Sequence, residues 1–271
     1  MTAERLIFCA GARTGRRADA AVPNCPAGDR ASAAWERVPS DRFALASHRM
    51  PPSRPCSAPA KVTTEEVRVA SKGLAGRLQL PRRATALVLF VDTGGIGGRW
   101  PGDVYAEHVL HRHGLGTLRV NLLNHAAKSG GHAVGILASG VGSVLGWIGQ
   151  RPDLVALPIG LMAADAGAAA AMVAAALRPE TVRALVSRGG HPDLAAGHLA
   201  CVAAPTLLIV GSADPDVLAA NRAALRQLAC NKRLEVLPGA TNGFEEPGAL
   251  ESVAELAAEW FDRHLAKRGN G

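Results

Sequence analysis

The chain has 271 residues, 48% of them hydrophobic and only 4% aromatic, and a formal charge of +7. This length suits one large domain or two small ones, and the apolar fraction is sufficient for a substantial core of Leu, Val, Ala and Ile. No apolar run reaches about 18 residues, and the basic-then-apolar order of a secretory signal is missing, so we expect a cytoplasmic protein without a membrane partner.

The positive charge does not indicate a nucleic-acid partner. Much of it comes from arginines scattered through residues 1–60, and the sequence has no basic stripe with interleaved aromatic residues. The five cysteines form no C-x-x-C pair, so we expect reduced thiols rather than a zinc site or a disulfide framework. The sequence predicts no metal and no cofactor, and it does not indicate an oligomeric state.

Residues 1–60 are rich in Arg, Ala, Pro and Ser and show no sustained period of two or 3.6. Such a segment cannot bury enough apolar surface to offset its ordering entropy, so we predict a disordered leader. Two alternatives stay open. One is an Arg-rich organelle-targeting peptide, which the acidic residues of the segment argue against, and the other is that translation begins at Met50.

Residues 61–268 alternate short apolar runs with helical periods, which predicts a single domain with a sheet flanked by helices. The predicted strands are Val62–Ala70, Leu74–Leu80, Ala86–Val91, Gly116–Leu123, Leu157–Met162, Val182–Ser187, Pro205–Val210 and Arg233–Leu237. The predicted helices are Asp103–Arg112, Ala133–Ile148, Ala166–Leu177, Val217–Leu228 and Gly248–Ala266. The first two strands suit a hairpin with Ser71-Lys72-Gly73 at its turn. The fold class is therefore α/β, an open, doubly wound, mostly parallel sheet of about eight strands with helices on both faces.

Loops that leave the carboxyl ends of parallel strands are where such sheets carry their chemistry. After the third predicted strand, Asp92-Thr93-Gly94-Gly95 opens a glycine-rich loop, which could offer backbone N–H groups to a ligand. Its spacing matches neither a P-loop nor a dinucleotide fingerprint, so the loop alone specifies no ligand.

The fifth predicted strand leads straight into an alanine-rich helix, as in a nucleophile elbow. In that turn one side chain projects, and small residues two before and two after it let strand and helix pack closely. Ala163 and Gly167 occupy those flanking positions, so Asp165 is the projected residue and Ala166 follows it. The alternative is that Asp165 only caps the helix.

Two later loops complete the pattern of a hydrolase triad. Asp214 follows the seventh predicted strand, where the acid would fall, and the loop Pro238–Pro247 follows the eighth, where the base histidine would be expected. The order of nucleophile, acid and base matches the α/β-hydrolase arrangement.

From about Leu74 to Leu265 the chain resembles the dienelactone-hydrolase-like branch of the α/β-hydrolase superfamily. The stretches that carry the resemblance are Val186–Leu194, Ala204–Gly211, Leu237–Thr241 and Phe244–Gly248. The resemblance implies the α/β-hydrolase fold. It also implies Ser where Asp165 stands, His where Asn242 stands and commonly His-Gly where Asp92-Thr93 stands, so that only Asp214 matches the family triad.

These departures weaken ordinary serine chemistry, because Asn242 cannot take up and return a proton. A carboxylate at Asp165 could attack an electrophilic carbon, as in some relatives with this fold, but release of the ester needs a base. Those relatives commonly have Trp where Ala166 stands. Among the loop histidines His125, His132 and His191, we name His191 as the candidate substitute base. An oxygen-rich metal site at the aspartates is a further alternative that no ligand spacing specifies.

Three interpretations remain. The leading one is a hydrolase-family protein that has lost its serine chemistry and retains a cleft for a small-molecule ligand or a partner. The second is an active hydrolase of small esters, lactones or halides with Asp165 as nucleophile and a relocated histidine base. The third is a non-catalytic interaction protein, and the fold alone does not choose among them.

Overall fold

The computed structural model describes residues 61–69, 73–91, 101–122 and 134–266. Their strands are β1 Val62–Val69, β2 Leu74–Pro81, β3 Ala86–Val91, β4 Leu115–Val120, β5 Ile159–Ala164, β6 Val182–Arg188, β7 Thr206–Gly211 and β8 Lys232–Leu237. Their helices are α1 Pro101–Arg112, α2 Val134–Ile148, α3 Asp165–Leu177, α4 Pro215–Gln227 and α5 Ala249–Leu265, and a 3-10 helix spans Pro192–Cys201. The predicted leader, residues 1–60, lies outside the described residues.

The strands form one open sheet in the order β1-β2-β4-β3-β5-β6-β7-β8. β2 is antiparallel to both β1 and β4, and every other neighbouring pair is parallel. This confirms the predicted open, mostly parallel sheet. The predicted hairpin is present, and Gly73 at its end has φ 60°, which glycine adopts without steric cost. Ser71 and Lys72 lie outside the described residues.

Helices cover both faces of the sheet, as the apolar strand sequences predict. β3, β4, β5 and β7 are buried at every position, the pattern of strands covered on both sides. Along β3, Leu87 and Leu89 pack with the α2 and α3 side, whereas Val88 and Phe90 pack with the α1 and α5 side. In β5, a Cβ on Gly160 would lie 2.6 Å from the Phe261 ring of α5, so glycine permits close packing there.

The bounds of β3 are those predicted, the other strand and helix ends differ from the predicted ones by at most three residues, and one element was not predicted. β5 begins at Ile159, because the chain before it forms a turn in which Leu157 N–H donates to the Leu154 carbonyl at 2.9 Å. The 3-10 helix Pro192–Cys201 was expected to be loop. Among the described helices, none is long and apolar enough to cross a membrane.

A buried group of charges fixes the start of α1 to the sheet. The Asp103 carboxylate is 1% exposed and accepts a hydrogen bond from Arg119 at 2.8 Å and another from Arg188. Arg119 also lies 3.8 Å from Glu107 and stacks over the Phe90 ring at 5.4 Å. Arg119 and Arg188 stand at or near the carboxyl ends of β4 and β6, so this ionic network supports the edge of the sheet where the candidate site lies.

Two histidines near the end of α1 have opposite environments. His113 Nδ1 lies 2.5 Å from an Asp262 carboxylate oxygen of α5, and that hydrogen bond raises the pKa of His113. His111 is buried and its Nε2 lies 2.9 Å from the Thr117 hydroxyl. Burial lowers the pKa of His111 to about 4. The contact with Asp262 therefore favours the protonated form of His113, whereas burial favours the neutral form of His111.

Candidate active site at the strand ends

Asp165 stands on a sharp turn between β5 and α3. Its φ is 48°, in the left-handed region that costs a non-glycine residue about 1–3 kcal/mol and that marks functional turns. Its side chain is exposed. The N-cap position belongs to Ala164, and no side chain caps this helix, so the alternative that Asp165 is an N-cap does not hold. The backbone geometry is that of a residue projected by an elbow.

Small residues make this turn possible. Ala163 and Gly167 on either side of it are buried, and Ala168 Cβ would lie 2.4 Å from a Cβ placed on Gly190. A side chain at 190 would therefore collide with α3. The contact brings the loop after β6 against the elbow, where His191 N–H donates to the Asp165 carbonyl at 3.1 Å.

The pair Gly189-Gly190 lies between the elbow and the loop after β8. Gly189 has φ 53°, and a Cβ there would lie 2.7 Å from the Asn242 carbonyl oxygen. The Gly190 carbonyl accepts a hydrogen bond from Asn221 Nδ2 of α4 at 2.9 Å. One dipeptide thus contacts the elbow on one side and the Asn242 turn on the other, which gathers the ends of β5, β6 and β8 into one site.

The acid and base positions of the expected triad are in direct contact. Asn242 N–H donates to Asp214 Oδ2 at 2.6 Å, and Asn242 Oδ1 accepts from Gly211 N–H at 3.3 Å. A Cβ on Gly211 would lie 2.1 Å from the Ala240 carbonyl oxygen, so the loops after β7 and β8 pack backbone to backbone. Asn242, at the predicted position of the base, therefore uses its side-chain oxygen in a main-chain contact.

His191 contacts the elbow through its main chain. Its side chain is 45% exposed, and Nδ1 lies 3.7 Å from an Asp193 carboxylate oxygen. A substitute base would need an imidazole with a carboxylate partner. Asp193 lies near the His191 ring but beyond hydrogen-bond distance. Asp193 was not singled out from the sequence, because nothing in its spacing distinguishes it from a solvated loop residue.

The remaining predicted site residues divide in two groups. Ala166 lies half-buried at the elbow, directly after Asp165, where the hydrolase fold takes one oxyanion N–H donor. Outside the described residues lie Asp92, Thr93, Gly94, Gly95, His125 and His132. Among the described residues no three His, Cys, Asp or Glu side chains converge as metal ligands. Since Asp92 lies outside them, the proposed aspartate metal site is not tested.

Two elements of the site were missed from the sequence. Asn221 of α4 is fully buried and holds Gly190, yet it lies within a helix that gives no signal of this contact. Gly189-Gly190 belongs to a stretch that carried the family resemblance, and a glycine pair directly after a buried strand was the available signal for a close approach.

No family model matches the chain. Two proteins from strains of Mycobacterium tuberculosis, each named "Putative phosphoribosyl transferase", are 42% identical to it over 210 residues, which is 76% of this chain and 47% of theirs. The chain therefore spans about half the length of the curated relatives it matches.

Solved structures of hydrolases match over a similar share of the chain. A dienelactone hydrolase from Anabaena variabilis is 42% identical, has a TM-score of 0.70, and is matched over 100% of its own length and 77% of this chain. Est1E from Butyrivibrio proteoclasticus, at 18% identity and a TM-score of 0.62, supports the fold alone. Since the Anabaena protein is covered from end to end at this identity, the chain belongs to the dienelactone-hydrolase-like branch of the α/β-hydrolases.

Proposed function

We propose that this domain has no ordinary serine-esterase activity and that its strand-end cleft binds a small polar molecule. The observation that carries the proposal is the state of Asn242. Its N–H is held by Asp214 and its side-chain oxygen by Gly211 N–H. An amide in this arrangement cannot accept the proton of a nucleophile or activate water, which is the role of the triad base.

The charge at Asp165 supports the same conclusion. An oxyanion hole stabilises negative charge that develops beside the nucleophile, and a fixed carboxylate at that position opposes a second negative charge. The same carboxylate favours a ligand that donates hydrogen bonds or is positively charged. We therefore expect a neutral or cationic hydrogen-bond donor in the cleft rather than an ester in the course of hydrolysis.

We do not propose phosphoribosyl transfer as the activity of this domain. That name belongs to proteins of which this chain spans about half. The residues gathered at its strand ends occupy the positions of a hydrolase triad.

A second candidate function is favoured by the contacts of His191. Its main chain is bonded to Asp165 and its ring faces Asp193, so it could activate water against an ester formed on Asp165. This would be an active hydrolase of small esters, lactones or halides. It predicts a covalent adduct at Asp165 that mass spectrometry detects, and a turnover that His191→Asn abolishes.

The test of the proposed function is a hydrolysis assay on small activated esters. It compares the wild type, Asp165→Ser, Asn242→His and the double variant, with folding checked by circular dichroism. We expect background rates for the first three and measurable hydrolysis for the double variant, because nucleophile and base act as a unit. A serine-directed fluorophosphonate should label the double variant, in which the new serine has a histidine base, and should not label the wild type.

Each other outcome has a defined meaning. Background rates in all four folded proteins would refute a latent hydrolase cleft. Strong wild-type turnover would overturn the proposal, and its loss in His191→Asn would establish the second candidate.

A further inference from the structure

Asn242 is followed by a glycine, and the two residues occupy the centre of a tight turn. Phe244 N–H donates to the Thr241 carbonyl at 3.1 Å and closes the turn. Gly243 is exposed and Asn242 is half-buried. We propose that Asn242 is a site of spontaneous deamidation, at which the neighbouring main chain converts the side-chain amide to a carboxylate.

The reaction needs only the chain and water. The Gly243 main-chain nitrogen attacks Cγ of Asn242, a C–N bond forms, and the N–H proton passes to solvent. Nδ2 then takes up a proton from solvent, the bond from Cγ to Nδ2 breaks and ammonia leaves, which gives a cyclic succinimide. Water opens the ring at either carbonyl and yields an aspartyl or an isoaspartyl residue. No oxidant or reductant takes part.

The first structural reason is steric freedom at Gly243. Apart from the two chain neighbours, the nearest heavy atom to a Cβ placed there is Glu245 Cγ at 3.6 Å, an ordinary contact distance. With no side chain on the attacking residue, its nitrogen can approach the preceding side chain, which is why glycine is the most permissive successor for ring closure.

The second reason is electrostatic. When the nitrogen attacks, negative charge develops on Oδ1 of Asn242. This is the oxygen that Gly211 N–H already contacts at 3.3 Å. A main-chain donor directed at a developing oxyanion lowers the barrier, as it does in acyl-transfer enzymes. The contact between Gly211 N–H and Asn242 Oδ1 therefore assists the modification of Asn242.

The product has a defined electrostatic consequence. The main-chain N–H of Asn242 donates to Asp214 Oδ2 at 2.6 Å, so the residue that gains the new carboxylate is already bonded to an existing one. Such a pair raises the pKa of one member. A proton acceptor would thereby arise at the position where the family has its base. The modification itself does not rest on the proposed function.

The test is peptide mapping by mass spectrometry after the full chain is kept folded in mildly alkaline, isotope-labelled water. We expect the peptide that contains Asn242 to show the mass change from amide to acid with one labelled oxygen. The variant Gly243→Ala should lose most of this conversion, because its Cβ hinders ring closure. Gly197→Ala is the matched control: a Cβ there meets nothing within 4 Å, and its conversion should equal that of the wild type.

A synthetic peptide with the sequence of residues 237–248 separates the contribution of the fold from that of the sequence. We expect the folded protein to convert at least as fast as the peptide. Conversion of the peptide but not of the folded protein would overturn the proposal, since the turn would then protect Asn242. Undiminished conversion in Gly243→Ala would overturn it as well, because the attacking group would be another one.

Discussion

Replacing Asp103 by Asn should lower the free energy of unfolding by about 3–5 kcal/mol, the usual cost of removing one partner from a buried ionic group. Asp103 is 1% exposed, and the arginines that it joins, Arg119 and Arg188, are 9% and 7% exposed. Solvent therefore screens little of the interaction. The asparagine preserves the size and shape of the side chain but removes the negative charge between two buried guanidinium groups. Glu107, the other carboxylate of the network, lies 3.8 Å from Arg119.

The assay is urea unfolding followed by circular dichroism. Glu66→Gln is the matched control, because the Arg77–Glu66 pair has a similar distance of 3.0 Å but side chains that are 31% and 67% exposed. Exposed pairs contribute about 0–1 kcal/mol. A double variant, Asp103→Asn with Arg188→Met, should recover part of the loss, because it also removes one of the two buried positive charges that Asp103 contacts. If Asp103→Asn costs no more than the control, the reasoning about the buried network is refuted.

Three further outcomes follow from packing and protonation. The raised pKa of His113 beside Asp262 means that its stabilisation is complete below the unfolded-state value of 6.5 and is lost as pH rises through the folded-state pKa. In His113→Asn the melting temperature should no longer show this loss of stability as pH rises. His111 has the opposite effect: its pKa of about 4 means that the stability of the fold falls as pH drops from 6.5 toward 4. In His111→Asn the stability should depend less on pH over this range. Slopes unchanged in the variants would contradict both assignments. Gly160→Ala should cost about 1–3 kcal/mol because its Cβ would meet a ring 2.6 Å away. Gly146→Ala, within α2 and with nothing within 4 Å, should stabilise by about 0.5–1 kcal/mol. Equal effects of the two alanines in denaturant titrations would count against the packing argument.

The sheet could be predicted because its strands are short apolar runs separated by glycine- and proline-containing loops. The end of β5 was harder to place. Ala163 and Ala164 belong to the strand, but alanine followed by an alanine-rich helix gives no signal of where the strand stops. The 3-10 helix Pro192–Cys201 was missed because a ten-residue segment of this kind has no apolar period to detect.

The candidate site, like the fold, could be predicted from the sequence only in part. Local spacing and the order of the strands, both readable in the sequence, predict the positions of Asp165 and Asp214, whereas the position of Asn242 was predicted from the family resemblance. The contacts of Asn242 are not. Its bond to Gly211 depends on how two loops pack after the sheet has formed, and neither residue type specifies that partner. Likewise, Arg119 lies inside a predicted strand, and nothing in the apolar pattern of that strand indicates its ion pair with Asp103 of α1.

The Asn242 to Gly211 hydrogen bond also constrains how this domain can change during evolution. A histidine at 242 has no amide oxygen for the Gly211 N–H, so the exchange would forfeit a main-chain contact worth about 0.5–1.5 kcal/mol. The exchange would therefore weaken the packing between the loops after β7 and β8. Substitution at position 242 carries this stability cost whatever its effect on the chemistry of the site.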